Sequence, residues 1–243
     1  MKKLISLINF FIFTSMRSPK IIMPLTVLIF LQLTIYTTIG RRPTDFFSGV
    51  FLAEIFTFTI AIWLGFSSNS WVDEVTEQLL ILRVKKDTAY YAIYVVFLFL
   101  LSICISLISA LIPVIFHLAD SGFFERYTVA HFLKSFLLIT GSSFAGVTLG
   151  AMFHPRLMPN KSDTPLIVTI VGLIAITKTS IINWQGFFRY ILWTFPNTSA
   201  HSSIIVDSSD FTFPLVVRLF LVSILYSICY SLIKIVWLSK TKF

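Results

Sequence analysis

Six stretches of roughly 20 apolar residues limit what this chain can become, because a helix of that length is what crosses the hydrocarbon core of a bilayer. They occupy residues 21–39, 47–66, 89–116, 132–153, 165–183 and 214–238 of a 243-residue sequence. In lipid, each segment has to satisfy its own backbone hydrogen bonds, so each is predicted to be an α-helix. A soluble alternative fails on composition. Hydrophobic residues make up 56% of the chain and charged residues 12%, whereas a soluble domain carries about 25% charged residues. The predicted fold is all-α and polytopic, a single transmembrane domain over residues 1–243.

A formal charge of +8 would suggest nucleic acid in a soluble chain. Here the placement of the cations matters more, and no nucleic-acid partner is expected. With the N-terminus inside, eleven Lys and Arg fall in cytoplasmic segments, among them Arg17, Arg83, Lys85, Lys86 and Arg156, and only Arg41, Arg42, Arg126 and Arg189 fall outside. The positive-inside rule then sets both termini in the cytoplasm. Residues 2–14 are too short to span. Their narrow polar stripe of Lys2, Ser6 and Asn9 predicts an interfacial helix that feeds the first span through a break at Ser18-Pro19. The run ends without a small-x-small cleavage pattern, so the segment is expected to be retained. Cys104 and Cys229 lie inside spans, without the spacing of a disulfide framework or a metal site.

Between the second and third spans, Ser70 to Arg83 has the signature of a short amphipathic helix. Ser70 and Asp73 have capping-box spacing, Asp73 and Glu74 suit a helix N-terminus, and Arg83 with Lys85 and Lys86 suits its C-terminus. Val72, Val75, Leu79 and Leu82 form one apolar stripe, while Asp73, Glu74, Glu77 and Gln78 fill the remainder. A helix lying on lipid usually presents Lys and Arg to the anionic leaflet. This acidic face suits a cytosolic protein better, and with Trp71 it is expected to be a docking element.

Motifs for chemistry are incomplete. Gly141 to Gly146 has the first half of a P-loop, but Val147-Thr148 stands where the phosphate grip needs Lys-Ser/Thr. Gly141-Ser142-Ser143 also matches the loose serine pattern of rhomboid proteases, yet the sixth span has no His to act as base. His117, His131, His154 and His201 sit at span ends or in loops. The chain is therefore expected to be no enzyme, with no catalytic residues and no metal site. Ser142, Gly146 and Gly150 instead make a small-xxx-small ladder for close helix packing. Charges within spans are costly and so informative. Glu54, Lys134, Lys178 and Arg218 should share the outer half of the membrane. Glu54 is expected to pair with Arg218, with Lys178 as its next candidate, or to line a substrate route. Lys134 and Lys178 can also snorkel outward, and Lys234 inward. Residues 184–195 are aromatic, apolar and too short to cross, then Pro196 and a polar stretch follow. Both a re-entrant dip into the outer leaflet and a helix flat at the interface fit.

This layout resembles the ABC-2-type permeases, the membrane subunits of ATP-binding-cassette exporters. The resemblance lies in an N-terminal interfacial helix at residues 2–14, six spans with both termini inside, a coupling helix at 71–83, and a short helix between spans five and six at 184–195. At this length the chain is most similar to small bacterial permeases for peptide export or lantibiotic immunity. The resemblance implies half of a translocation pathway in the bacterial plasma membrane, completed by a second permease copy or a related permease. It also implies a separate cytosolic ABC ATPase subunit that binds the ATP and Mg, no cofactor on this chain itself, and a hydrophobic or amphipathic peptide or lipid-like substrate. A stand-alone six-helix secondary transporter or channel, or a non-transporting immunity protein, are the alternatives.

Overall fold

The computed structural model describes residues 2–38, 43–116, 128–158, 162–196 and 212–241, and every regular element among them is helical. In chain order these are α1 (Lys2–Arg17), α2 (Pro19–Thr38), α3 (Pro43–Ser68), α4 (Glu74–Val84), α5 (Asp87–Phe116) and α6 (Val129–Ala151), then α7 (Thr164–Trp184), a 3-10 turn (Gly186–Phe188), α8 (Arg189–Leu192) and α9 (Phe213–Lys240). Six of them, α2, α3, α5, α6, α7 and α9, are long and apolar enough to cross a membrane, one for each run anticipated from the sequence. Arg41, Arg42, His117, Arg126, Lys161, Asn197 and His201 lie outside the described residues.

Ser18 is the single non-helical residue between α1 and α2, as a residue ahead of proline should be. Behind it, α1 buries Leu7 and Phe11. The Phe11 ring packs against Tyr90, Tyr94 and Phe97 at the start of α5. The outer side of α1 is apolar as well, with Ile5, Phe13 and Met16 exposed.

The core is built around α6. Within its apolar window 72% of residues are buried, against 22% for α7, which is peripheral. Small side chains allow this. A Cβ added at Gly146 would lie 2.7 Å from the Phe58 carbonyl oxygen, and one at Gly150 would lie 2.0 Å from that of Ile62. The approach is mutual, since a Cβ at Gly65 of α3 would lie 2.0 Å from the Val147 carbonyl oxygen. Ser142 completes the row and donates to Glu54 of α3. Ser142, Gly146 and Gly150 thus all face α3. On another side of α6, Gly141 accommodates Phe220 and Ser223 of α9.

A second polar contact holds α2. Gln32 is fully buried and donates to Thr57 of α3 at 3.3 Å and to Ser109 of α5 at 2.6 Å. Such bonds tie spans together where lipid offers no hydrophobic drive between helices.

Only Lys85 and Lys86 separate α4 from α5. Lys85 is left-handed at φ 67°, and its N–H bonds back to the Ile81 carbonyl at 2.9 Å. That is a helix stop of the αL type, made without glycine.

Candidate functional site

At one end of the bundle α1, α4, the start of α5 and the ends of α3, α6 and α9 converge. The short helix α4 begins three residues later than the capping-box spacing of Ser70 and Asp73 suggests. Asp73 is its N-cap, accepting from the Thr76 N–H at 3.0 Å. Hydrogen bonds from Thr76 hold the Asp73 carboxyl below the usual carboxylate range. Ser70 serves the preceding turn, donating to the Ser67 carbonyl and accepting from Lys20 at 2.9 Å.

The helix also faces the opposite way from its amphipathic pattern. Val75, Leu79 and Leu82, three members of the apolar stripe, are 65%, 61% and 72% exposed. Glu77, expected on the wet face, is 6% exposed and points into the bundle together with Ile81. Asp73, Glu74, Gln78 and Arg83 are exposed beside the apolar residues. Trp71 is half-buried, its ring edge-on to Phe97 with centroids 6.0 Å apart. The outward face is therefore mixed, acidic and apolar together, and the accessible carboxylates are Asp73 and Glu74 rather than Glu77.

The reason for the reversal is a polar clamp assembled from distant parts of the chain. Glu77 accepts from Arg156 Nη2 at 2.9 Å and from the Tyr91 hydroxyl at 2.9 Å. Arg156 also donates to the Tyr91 oxygen, which closes the triangle. Arg156 follows the end of α6 and Tyr91 lies one turn into α5, so one carboxylate joins three helices. A buried carboxylate costs several kcal/mol unless it is paired and hydrogen-bonded, and here both conditions hold. His154 Nε2 lies 3.8 Å from the second Glu77 oxygen. Its Nδ1 accepts the Arg156 backbone N–H at 3.3 Å, which suits the neutral tautomer with the proton on Nε2. Burial, aided by the cations Lys234 and Arg156, pushes the His154 imidazole down to about 2.

Beside the clamp, Asn69 at the end of α3 donates to the carbonyls of Ala151 and Phe153 at 3.2 Å, satisfying the free end of α6. Its oxygen accepts from Lys234 of α9 at 2.9 Å. The Lys234 ammonium stands 4.4 Å from the Tyr94 ring centroid, within cation–π range. It is buried inward, not snorkelled. Compared with protein-family models, curated proteins and solved structures, the chain matches none.

The expected charge pair in the spans takes another form. Glu54 is 1% exposed and meets Ser142, whereas Arg218 is exposed on α9. Lys178 is neither the partner of Glu54 nor turned outward. It is buried and donates to the Phe195 carbonyl at 2.7 Å. Tyr226 and Tyr230 of α9 donate to the carbonyls of Trp193 and Thr194. Three consecutive carbonyls following α8 are thus satisfied by side chains of α7 and α9. Lys178 stands six residues before the end of α7, and Tyr226 thirteen residues into α9. The chain therefore turns back along the spans after Trp184.

Sequence reasoning singled out neither Arg156 nor Tyr91, His154, Asn69 and Lys234 as members of a site. The signal available was topological: Asn69, Glu77, Arg156 and Lys234 all fall at the same ends of their spans.

Proposed function

We propose that this chain is the membrane subunit of an ABC-type exporter, forming half of a translocation pathway and working with a separate cytosolic ATPase that binds ATP and Mg. The observation that carries the assignment is the state of α4. This short helix is fastened to α5 and α6 through Glu77, Tyr91 and Arg156, and it leaves a mixed acidic and apolar face uncovered. A helix that only rested on lipid would need no such clamp and would carry cations where α4 exposes Asp73 and Glu74. A clamped helix with an open docking face is what transmission from a soluble motor requires, because force applied at Asp73, Glu74, Val75 and Leu79 reaches two spans through a buried ion pair. The turned-back segment at Trp184 to Phe195 suits a re-entrant element of the outer leaflet. With one coupling helix and six spans, two such chains, or this chain and a related permease, would enclose the route. The cargo class, a hydrophobic or amphipathic peptide, follows from the resemblance to small peptide-export and immunity permeases.

The test is co-purification of the membrane-inserted chain with a soluble ATP-binding subunit from its native cells, together with ATPase stimulation. Asp73→Asn, which removes the charge and keeps the N-cap, combined with Glu74→Lys and Leu79→Asp should abolish both while leaving the chain folded in the membrane with its thermal stability little changed. Normal assembly and stimulation in that variant would remove the coupling role.

A further inference from the structure

Between α1 and α4 lies a cavity of about 110 Å³, lined by Ser6, Leu7, Phe10, Leu80, Arg83 and Val84. Its walls are apolar except at the rim, where Arg83 and Ser6 are exposed. The side chains of Arg83, Lys85 and Lys86 have no hydrogen-bond or ion-pair partner among the described residues. The accessible acids of α4, Asp73 and Glu74, stand at its opposite end, roughly 13 Å away along the axis at 1.5 Å per residue. Asp87 is the one carboxylate near the three cations in the chain. Of the two helices that frame the groove, α1 also exposes Phe13 and Met16 on its outer side, as a helix at a membrane surface does.

We infer that this groove holds an anionic phospholipid, one acyl chain lying along Leu7, Phe10, Leu80 and Val84 and the headgroup phosphate at Arg83, Lys85 and Lys86. Charge complementarity selects this occupant. A neutral chain would leave three unpartnered cations unused, and a free anion would leave the apolar walls uncovered. Arg supplies a planar fork that grips phosphate in bidentate fashion, and the two lysines add point charges within the same turn. The inference needs the chain only to sit in a membrane, so it stands or falls separately from the exporter assignment.

The test uses the full chain purified in neutral detergent, offered equal amounts of dioleoyl phosphatidylglycerol and dioleoyl phosphatidylcholine. Native mass spectrometry reads the lipid retained. One phosphatidylglycerol should be kept in preference. The preference should fall about fivefold for each cation removed in Arg83→Gln, Lys86→Gln and Lys85→Asn, the last chosen because asparagine tolerates the left-handed backbone. Leu80→Trp, which fills the groove and keeps the cations, should lose the lipid. Ser6→Phe fills it from the α1 side and guards against a folding defect in the first variant. Equal retention of both lipids would mean that a neutral chain or detergent occupies the groove, and would overturn the inference. So would a preference unchanged in the triple variant, retention that survives both filling variants, or displacement by inorganic phosphate alone. A filling variant that altered the oligomeric state instead of lipid retention would assign the groove to a second copy.

Discussion

Gly150→Ala tests the centre of the fold with a single methyl group. The added Cβ would stand 2.0 Å from the Ile62 carbonyl oxygen, which is 1.4 Å short of the 3.4 Å where ordinary contact begins. The obstacle is backbone, so no rotamer change relieves it, and α3 and α6 must separate locally. Overpacking of this kind costs about 1–3 kcal/mol, while alanine returns up to about 1 kcal/mol of helix propensity. A net loss of about 1–2 kcal/mol is expected in thermal or SDS unfolding of the detergent-solubilised chain. Gly172→Ala is the internal control. Its Cβ would meet only the flexible Ile62 Cδ1, at 3.4 Å, so it should be neutral or slightly stabilising. Gly65→Ala strikes the same contact from the other helix. Added to Gly150→Ala it should cost less than it does alone, since the helices have already parted. Equal stability of Gly150→Ala and Gly172→Ala would refute close α3–α6 packing as the basis of the core.

Three further outcomes can be checked. Arg156→Met strands the buried Glu77 and should cost about 3–5 kcal/mol in thermal unfolding, with Arg156→Met/Glu77→Leu recovering much of it; simple additivity would show that the two do not act as a pair. His154 should make the chain acid-sensitive. Its folded value is held at about 2, so as the pH falls through 6.5 the unfolded state takes up a proton that the native state refuses. Stability then declines by up to about 1.4 kcal/mol per pH unit, and His154→Gln should flatten that slope; an unchanged slope would place the titration elsewhere. Replacing Lys178 by Met together with Tyr226 and Tyr230 by Phe frees three carbonyls after α8. Cysteine labelling at Trp193→Cys should then rise sharply, and labelling equal to that in the background with Lys178, Tyr226 and Tyr230 intact would show that the segment is held by other contacts.

The parts of the fold that were legible in the sequence are those governed by local rules. Span positions follow from the length of apolar runs, the α1–α2 break from Ser18-Pro19, and the α6 packing row from the four-residue spacing of Ser142, Gly146 and Gly150. What misled was the inference from pattern to orientation. Apolar faces usually turn inward, and by that rule the stripe of Val75, Leu79 and Leu82 would be covered, but a single long-range partner decides the matter. Arg156 lies 79 residues from Glu77, and periodicity within eleven residues of helix carries no trace of it. The same holds for Lys178. As a cation near the end of a span it was open to snorkelling or to pairing with a carboxylate, and its actual acceptor, a backbone carbonyl at Phe195, has no side-chain signature at all.

The two-residue elbow at Lys85 and Lys86 makes α4 and α5 a bent lever. Glycine would leave slack there, whereas a lysine at φ 67° is confined to the small left-handed region open to residues with a side chain. The short arm, α4, has 11 residues and the long arm, α5, has 30, so their lengths are roughly 16 and 45 Å at 1.5 Å per residue. Were the two arms to turn as one body about this fulcrum, a displacement at the tip of α4 would be magnified roughly threefold at the far end of α5, as long as α5 stays straight. Pro113 lies three residues from that end, where it can bend only the last turn. Substituting glycine at Lys85 would widen the backbone freedom of the elbow and leave the Glu77–Tyr91 hydrogen bond as the remaining tie between the two arms.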